Sequence, residues 1–160
     1  MNRYKARENA FIALFKYSFG EPINVIVQTA QTEDDALVID SYGEQLLRAY
    51  EEHTAAIDEE IESRLKGWTV KRLSKVNLAI LRLAVTEILY GEPDIESVVI
   101  NEAVELSKKF GDEEDYQFVN GLLGNFVRNR APQAAESENA NTADAADFTV
   151  ATPEEKDALS

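Results

Sequence analysis

VVINEAVELSKKFGDEEDYQFVNGLL, residues 98–123, reads as two amphipathic helices joined by a short acidic turn. Val99, Ala103, Leu106 and Phe110 recur every three or four residues, so one face of the first helix is apolar. Gly111 follows Phe110 and fits a left-handed C-cap that ends the helix. Asp112, Glu113, Glu114 and Asp115 come next, and acidic side chains favour the positive N-terminal end of a helix. Phe118, Val119, Leu122, Leu123, Phe126 and Val127 then give the second helix its apolar face. Helices with one apolar face must pack on others, so the stretch predicts an all-α fold.

The same periodicity recurs upstream. Residues 4–18 predict a helix with Ala10, Phe11, Leu14 and Phe15 inward, broken by Gly20 and Pro22. Ile23 to Thr32 is apolar and β-branched with no partner strand in view, and predicts a packed loop or a short turn of helix. Thr32 or Asp34 can cap a helix running to about Glu52, with Leu37, Leu46, Leu47 and Tyr50 inward. Thr54 can cap another through Leu65, where Ile57, Ile61 and Leu65 share a face. Trp68 falls in the following connection. Ser74 can cap a long helix from Lys75 to Tyr90 that buries Val76, Ile80, Leu83 and Ile88, and Gly91 and Pro93 end it. Asp94 starts the helix pair quoted above. These elements divide softly into two helical lobes, residues 1–52 with part of the next helix, and residues 57–130.

After Arg130 the composition changes. Residues 131–160 are rich in Ala, Asn, Asp, Glu and Thr, with few large apolar side chains. Such a segment cannot bury enough surface to offset its ordering entropy, so it predicts a disordered acidic tail beside a folded domain of residues 1–130.

The chain has 160 residues, enough for one domain with a substantial core. It has no cysteine, which excludes disulfides and thiolate metal sites, and its one histidine, His53, excludes a His-rich site. No P-loop, dinucleotide turn, nucleophile elbow or metal-ligand spacing is present, so no enzyme activity, cofactor or metal is expected. Without a signal-peptide core or an apolar run of about 18 residues, a cytoplasmic protein is expected. The formal charge is −14. The tail carries −6 of it and the remaining body −8, whereas residues 1–16 carry +3 from Arg3, Lys5, Arg7 and Lys16 against Glu8. Screening over about 8–10 Å makes the local field decide a contact, so a basic N-terminus on an acidic body can still meet an anion.

Four blocks of sequence together resemble the NusB family, all-helical bacterial antitermination factors that bind RNA. They are Tyr4–Ala10 with Ala13-Leu14-Phe15; Gly67-Trp68; Arg72–Val76 leading into Ala79–Ala84; and INEAVELSKKFG followed by FVNG. They stand in family order from about Arg3 to Arg128. The resemblance implies a compact bundle of about seven helices in two packed lobes. It also implies pairing with the ribosomal protein NusE, binding of boxA RNA in ribosomal RNA leaders, and service in the RNA polymerase antitermination complex. The acidic body suits a basic ribosomal partner, which would supply positive charge that this chain lacks.

By the same resemblance, Arg3, Lys5 and Arg7 stand in the family's RNA-binding arginine-rich end. Arginine brings a planar fork to phosphate and base. Helical geometry puts Arg3 and Arg7 on the stripe of Phe11 and Leu14, so Arg7 can equally be a structural arginine paired with a carboxylate. Tyr4 can stack on a base or simply pack. Lys71, Arg72 and Lys75 can extend the RNA path or form a solvated face, and Arg82 is expected half-buried and structural. Glu114, Tyr116 and Phe118 are implied to lie near RNA and partner. Asn101, Glu102 and Asn120 are expected as interhelical hydrogen-bonding groups, with Gly121 permitting close helix approach. Three other readings stay open: a helical protein-interaction module without RNA binding, an oligomeric scaffold such as a homodimer, and, least expected in a chain with no room for a methyl-transfer domain, the NusB-like domain that occurs fused to RNA cytosine methyltransferases.

Overall fold

The computed structural model describes residues 1–32, 37–66, 69–93 and 95–130. Asp34, Gly67, Trp68, Asp94 and the acidic tail lie outside the described residues. Among the described residues seven α-helices follow one another: α1 (Arg3–Tyr17), α2 (Ile23–Thr32), α3 (Ser41–Glu52), α4 (Thr54–Glu62), α5 (Lys75–Tyr90), α6 (Glu96–Phe110) and α7 (Asp115–Arg128). There is no strand among the described residues, and no helix is long and apolar enough to cross a membrane.

The bundle is organised around α5, which packs against α1, α3, α4, α6 and α7. Helices α1–α3 pack on one another and α6 packs on α7, with α5 shared between the two groups and α4 packed on α5 and α3. Sequence periodicity put one face of α5 inward, but Asn77 to Ile88 is buried on every side. A helix surrounded by others has no solvent face to keep polar. Its polar letters, Asn77, Arg82, Thr86 and Glu87, are buried with it. Ser74 caps the helix as expected, accepting a hydrogen bond from the Asn77 N–H at 3.1 Å.

Four local features differ from expectation. The apolar stretch from Ile23 is a full ten-residue helix, with Ile23, Ile26 and Val27 buried at helical spacing. Helix α3 starts at Ser41, because Asp40 provides the cap by accepting from the Gly43 N–H at 2.8 Å. Helix α4 starts at Thr54 without a side-chain cap, since the Thr54 hydroxyl donates back to the Tyr50 carbonyl at 2.8 Å. Gly20 has φ 104°, the left-handed backbone that turns the chain from α1 into α2. Gly111, by contrast, ends α6 in an extended conformation, φ −96° and ψ −174°. Glycine is needed there for space: a Cβ would stand 2.9 Å from the Ser107 carbonyl and from Asp115 Oδ2.

Candidate nucleic-acid and partner interface

Helix α1 begins at a capped end. Asn2 Oδ1 accepts from the Lys5 N–H at 2.8 Å, and the first turn then projects Arg3, Tyr4 and Lys5 into solvent. The Arg3 side chain is 50% exposed. Its guanidinium lies 3.6 Å from the centre of the Tyr42 ring, and Nη2 donates to Glu92 at 3.2 Å. Lys5 is exposed.

The end of α6 crosses α1 beside this turn. Lys109 Nζ donates to Glu8 at 2.9 Å, and the Phe110 ring sits 5.0 Å from Phe11. The Glu8 hydrogen bond, together with the nearby charge of Glu8 and the Tyr4 hydroxyl, raises the Lys109 pKa. Lys108 stands 5.1 Å over the Tyr116 ring, at the start of α7. Tyr4 and Glu8 of α1 therefore share an edge with Lys109, and Lys108, Tyr116 and the exposed Glu114 follow at the start of α7. Sequence reading passed over Lys108 and Lys109, although cations in a last helical turn complement the helix dipole and are a visible signal.

Two expected site residues do not reach that edge. The Arg7 side chain is only 9% exposed, and its Nε and Nη2 donate to the Glu87 carboxylate at 2.9 Å. Tyr42 Oη donates to the same carboxylate, and Glu102 stands 3.8 Å from Arg7 Nη1. Burial opposes the arginine's charge, but the hydrogen bonds and charge of Glu87 outweigh it and raise the Arg7 pKa. Burial, reinforced by Glu87, pushes the Tyr42 phenol up to about 12. With its fork already filled, Arg7 departs from the expected phosphate contact. Phe118, expected near RNA and partner, is fully buried in the core and shapes the site only through packing.

The second expected cluster stands elsewhere. Arg7 pairs with Glu87, and Ser18 receives a hydrogen bond from Arg82, so α1 and α5 run antiparallel. Lys71, on a 3-10 turn, and Lys75, the first residue of α5, consequently lie at the far end of α1 from Arg3, about 20 Å away at 1.5 Å per residue. Both are exposed. With Tyr17, Ser18 and Arg82 they line an open cavity of about 510 Å3. Arg82 itself is buried on Asp58, at 3.0 Å.

Between the two basic ends runs an aromatic ridge. Phe11, Phe15 and Phe19 follow at four-residue spacing along α1, with ring centres 6.4 and 5.0 Å apart. Phe110 joins the ridge at Phe11, and Lys75 Nζ ends it 5.6 Å from Phe19. Phe19 is 66% exposed, a large apolar side chain left facing water.

The most recognisable letters of the α6–α7 pair are also placed differently from expectation. Asn101 and Asn120 are exposed, and a Cβ on Gly121 would meet nothing within 4 Å. They line an open groove of about 740 Å3, with Lys108, Tyr116 and Arg128 among its walls, so none of the three serves helix-to-helix contact. Asp115 performs the structural task in this region. It is buried, and its Oδ2 accepts from the Asp112 N–H at 2.9 Å, closing the acidic turn. Among the described residues, no three potential metal-ligating side chains gather.

Known proteins share this chain's pattern over the whole helical region. The NusB family model matches residues 4–128. The transcription antitermination protein NusB of Oceanobacillus iheyensis is 38% identical over 128 residues, covering 79% of this chain and 99% of that protein. Its counterpart in Bacillus cereus is 40% identical over 125 residues, covering 78% and 96%. Among solved structures, T. maritima NusB superposes with a TM-score of 0.72 at 31% identity, over 84% of this chain and 96% of that one. The NusB chain of a complex of antitermination factors NusB and NusE with double-stranded RNA superposes at 0.66, with 28% identity over 81% and 100%. Matched in sequence along nearly the full length of its relatives, and in fold by all seven helices, this chain belongs to the NusB family.

Proposed function

We propose that the chain is a transcription antitermination factor that pairs with ribosomal protein NusE and binds boxA RNA of ribosomal RNA leader transcripts, within the RNA polymerase antitermination complex of the cytoplasm. A relative of this fold is seen with NusE and double-stranded RNA. The observation that carries the reading here is the adjacency of two unlike surfaces on α1. Its first turn offers exposed cations, Arg3 and Lys5, with Tyr4 beside Lys109. Its flank offers an aromatic ridge ending at Phe19 and Lys75. Phosphate contacts need the former; a protein interface needs an apolar anchor such as the latter. Glu114 and Tyr116 border the cationic edge, where a carboxylate can accept from base amino groups. Lys71 and Lys75 are assigned to the partner end of the ridge or to RNA leaving it.

The test is binding of a boxA RNA and a scrambled RNA, with and without NusE from the same organism. Preference for boxA that tightens with NusE is expected. With three phosphate contacts on a single strand, affinity should fall about 20-fold between 50 and 200 mM salt. Binding to NusE with no RNA preference would favour the protein-interaction reading, for which the exposed Phe19 ring and the acidic body also speak. A homodimer seen by light scattering, its ridge covered, would favour the scaffold reading.

A further inference from the structure

Away from the cationic edge, Arg3 borders a second feature that the proposed phosphate contacts leave unused. An open cavity of about 390 Å3 lies between the start of α3 and the end of α5, lined by Arg3, Ser41, Tyr42, Gln45, Tyr90 and Glu92. Its walls are flat. The Arg3 guanidinium is layered on the Tyr42 ring, and the Tyr90 ring is stacked on His53 at 4.1 Å with 8° between planes. Tyr90 is nonetheless 42% exposed, a large ring left at the surface by a helix that is otherwise almost wholly buried. Its rim is polar, with the Gln45 amide able to donate and accept and the Glu92 carboxylate able only to accept. Flat π-faces that are held rigid, with hydrogen-bonding groups at their edge, are what an unstacked nucleobase requires.

We infer that this cavity is a subsite for one splayed-out base of the bound RNA strand. The base stacks on Tyr90 or on the Arg3–Tyr42 layer, with Gln45 and Glu92 reading its edge. Arg3 links the subsite to the phosphate path, since its half-exposed side chain belongs to both. The acceptor-only carboxylate selects for a base with an exocyclic amino group, so adenine, cytosine or guanine is taken over uracil. This inference rests on the RNA-binding reading above.

The test compares full-length wild type with Tyr90→Ala, Tyr90→Phe and Glu92→Gln, using a single-stranded boxA oligonucleotide and a uracil-only oligonucleotide of equal length. Tyr90→Ala should weaken boxA binding about 5- to 10-fold with an unchanged salt slope, because a stacking contact releases no counterions. Tyr90→Phe should restore wild-type affinity, and Glu92→Gln should narrow the preference for boxA over the uracil oligonucleotide. Circular dichroism checks that each variant is folded. If wild type binds boxA and folded Tyr90→Ala binds it equally well, or with a flatter salt slope, the subsite is wrong while RNA binding stands. If wild type binds neither oligonucleotide, alone or with NusE, the RNA-binding reading itself fails.

Discussion

Basic residues gather at both ends of helix α1, and at each the structure sorts them by depth. At the N-terminal end Arg7 is buried against Glu87 and Tyr42, while Arg3 and Lys5 stand in solvent. At the C-terminal end Arg82, reaching across from α5, is buried against Asp58 between the rings of Tyr17 and Tyr50, while Lys71 and Lys75 stand in solvent. The two ends are thus built alike, an inner arginine fastening helices together and an outer pair exposed to solvent. They differ in what lies alongside. The N-terminal end meets Lys109, whereas the C-terminal end meets the exposed ring of Phe19. Positive charge in the sequence therefore marks two different tasks, and only burial tells them apart.

The inner arginines should show the largest effects, and on stability. Arg7→Ala leaves Glu87 buried without its cation, a loss of about 3–5 kcal/mol, enough to threaten a domain of this size. Urea unfolding measures it; a loss under 1 kcal/mol would mean that water reaches Glu87 and that Arg7 is available to RNA. Asp58→Ala should cost less, about 2 kcal/mol, because Asp58 is one-fifth exposed and water can partly replace the lost partner. Equal losses at the two ends would break the distinction in depth between them.

Tyr42 sharpens the comparison along a pH axis. Its phenol holds its proton to about pH 12, against about 10 in an unfolded chain. The folded value is the higher one, so the stabilisation is complete below pH 10 and is lost as the pH rises toward 12. Tyr50, pushed up mainly by burial at the other end, acts in the same direction. Tyr42→Phe should cost about 1–2 kcal/mol at neutral pH, for a hydrogen bond to a charged group, and should flatten part of the alkaline loss. An alkaline limb identical to wild type would place the titration on Tyr50 alone.

Much of the fold is legible in the letters, and the failures have physical causes. Ser74 capping a long apolar run, and Val99, Ala103 and Leu106 on one face of α6, are local signals that the structure keeps. The start of α3 is illegible because Thr32, Asp34 and Asp40 all qualify as caps, and only packing chooses Asp40. The all-round burial of α5 is hidden by Arg82 and Glu87, whose partners lie 24 and 80 residues away. The same distance hides the task of Arg7. Phe118 and Asn120 sit two residues apart in one motif, yet one is core and the other lines a groove, because two helical steps put them on nearly opposite faces of α7, one toward the core and the other toward solvent. Letters shared with a family locate a site without saying which of them touch the ligand.

The smallest expected effects separate the outer pairs. Removing one phosphate contact to single-stranded RNA lowers the salt slope by about 0.7, so the affinity loss between 50 and 200 mM should shrink about 2.6-fold. Lys5→Ala should do this, because Lys5 stands on the edge that holds Arg3 and is exposed to solvent. Lys75→Ala should leave the slope for RNA alone unchanged, because Lys75 lies at the other end of α1 and covers Phe19. It should instead weaken binding of the NusE partner, where the ring beneath it is the anchor. Salt titrations of both variants, with RNA alone and with NusE alone, give four slopes. A drop for Lys75→Ala with RNA alone would make both ends of α1 one continuous nucleic-acid track, and would move the partner surface off the ridge.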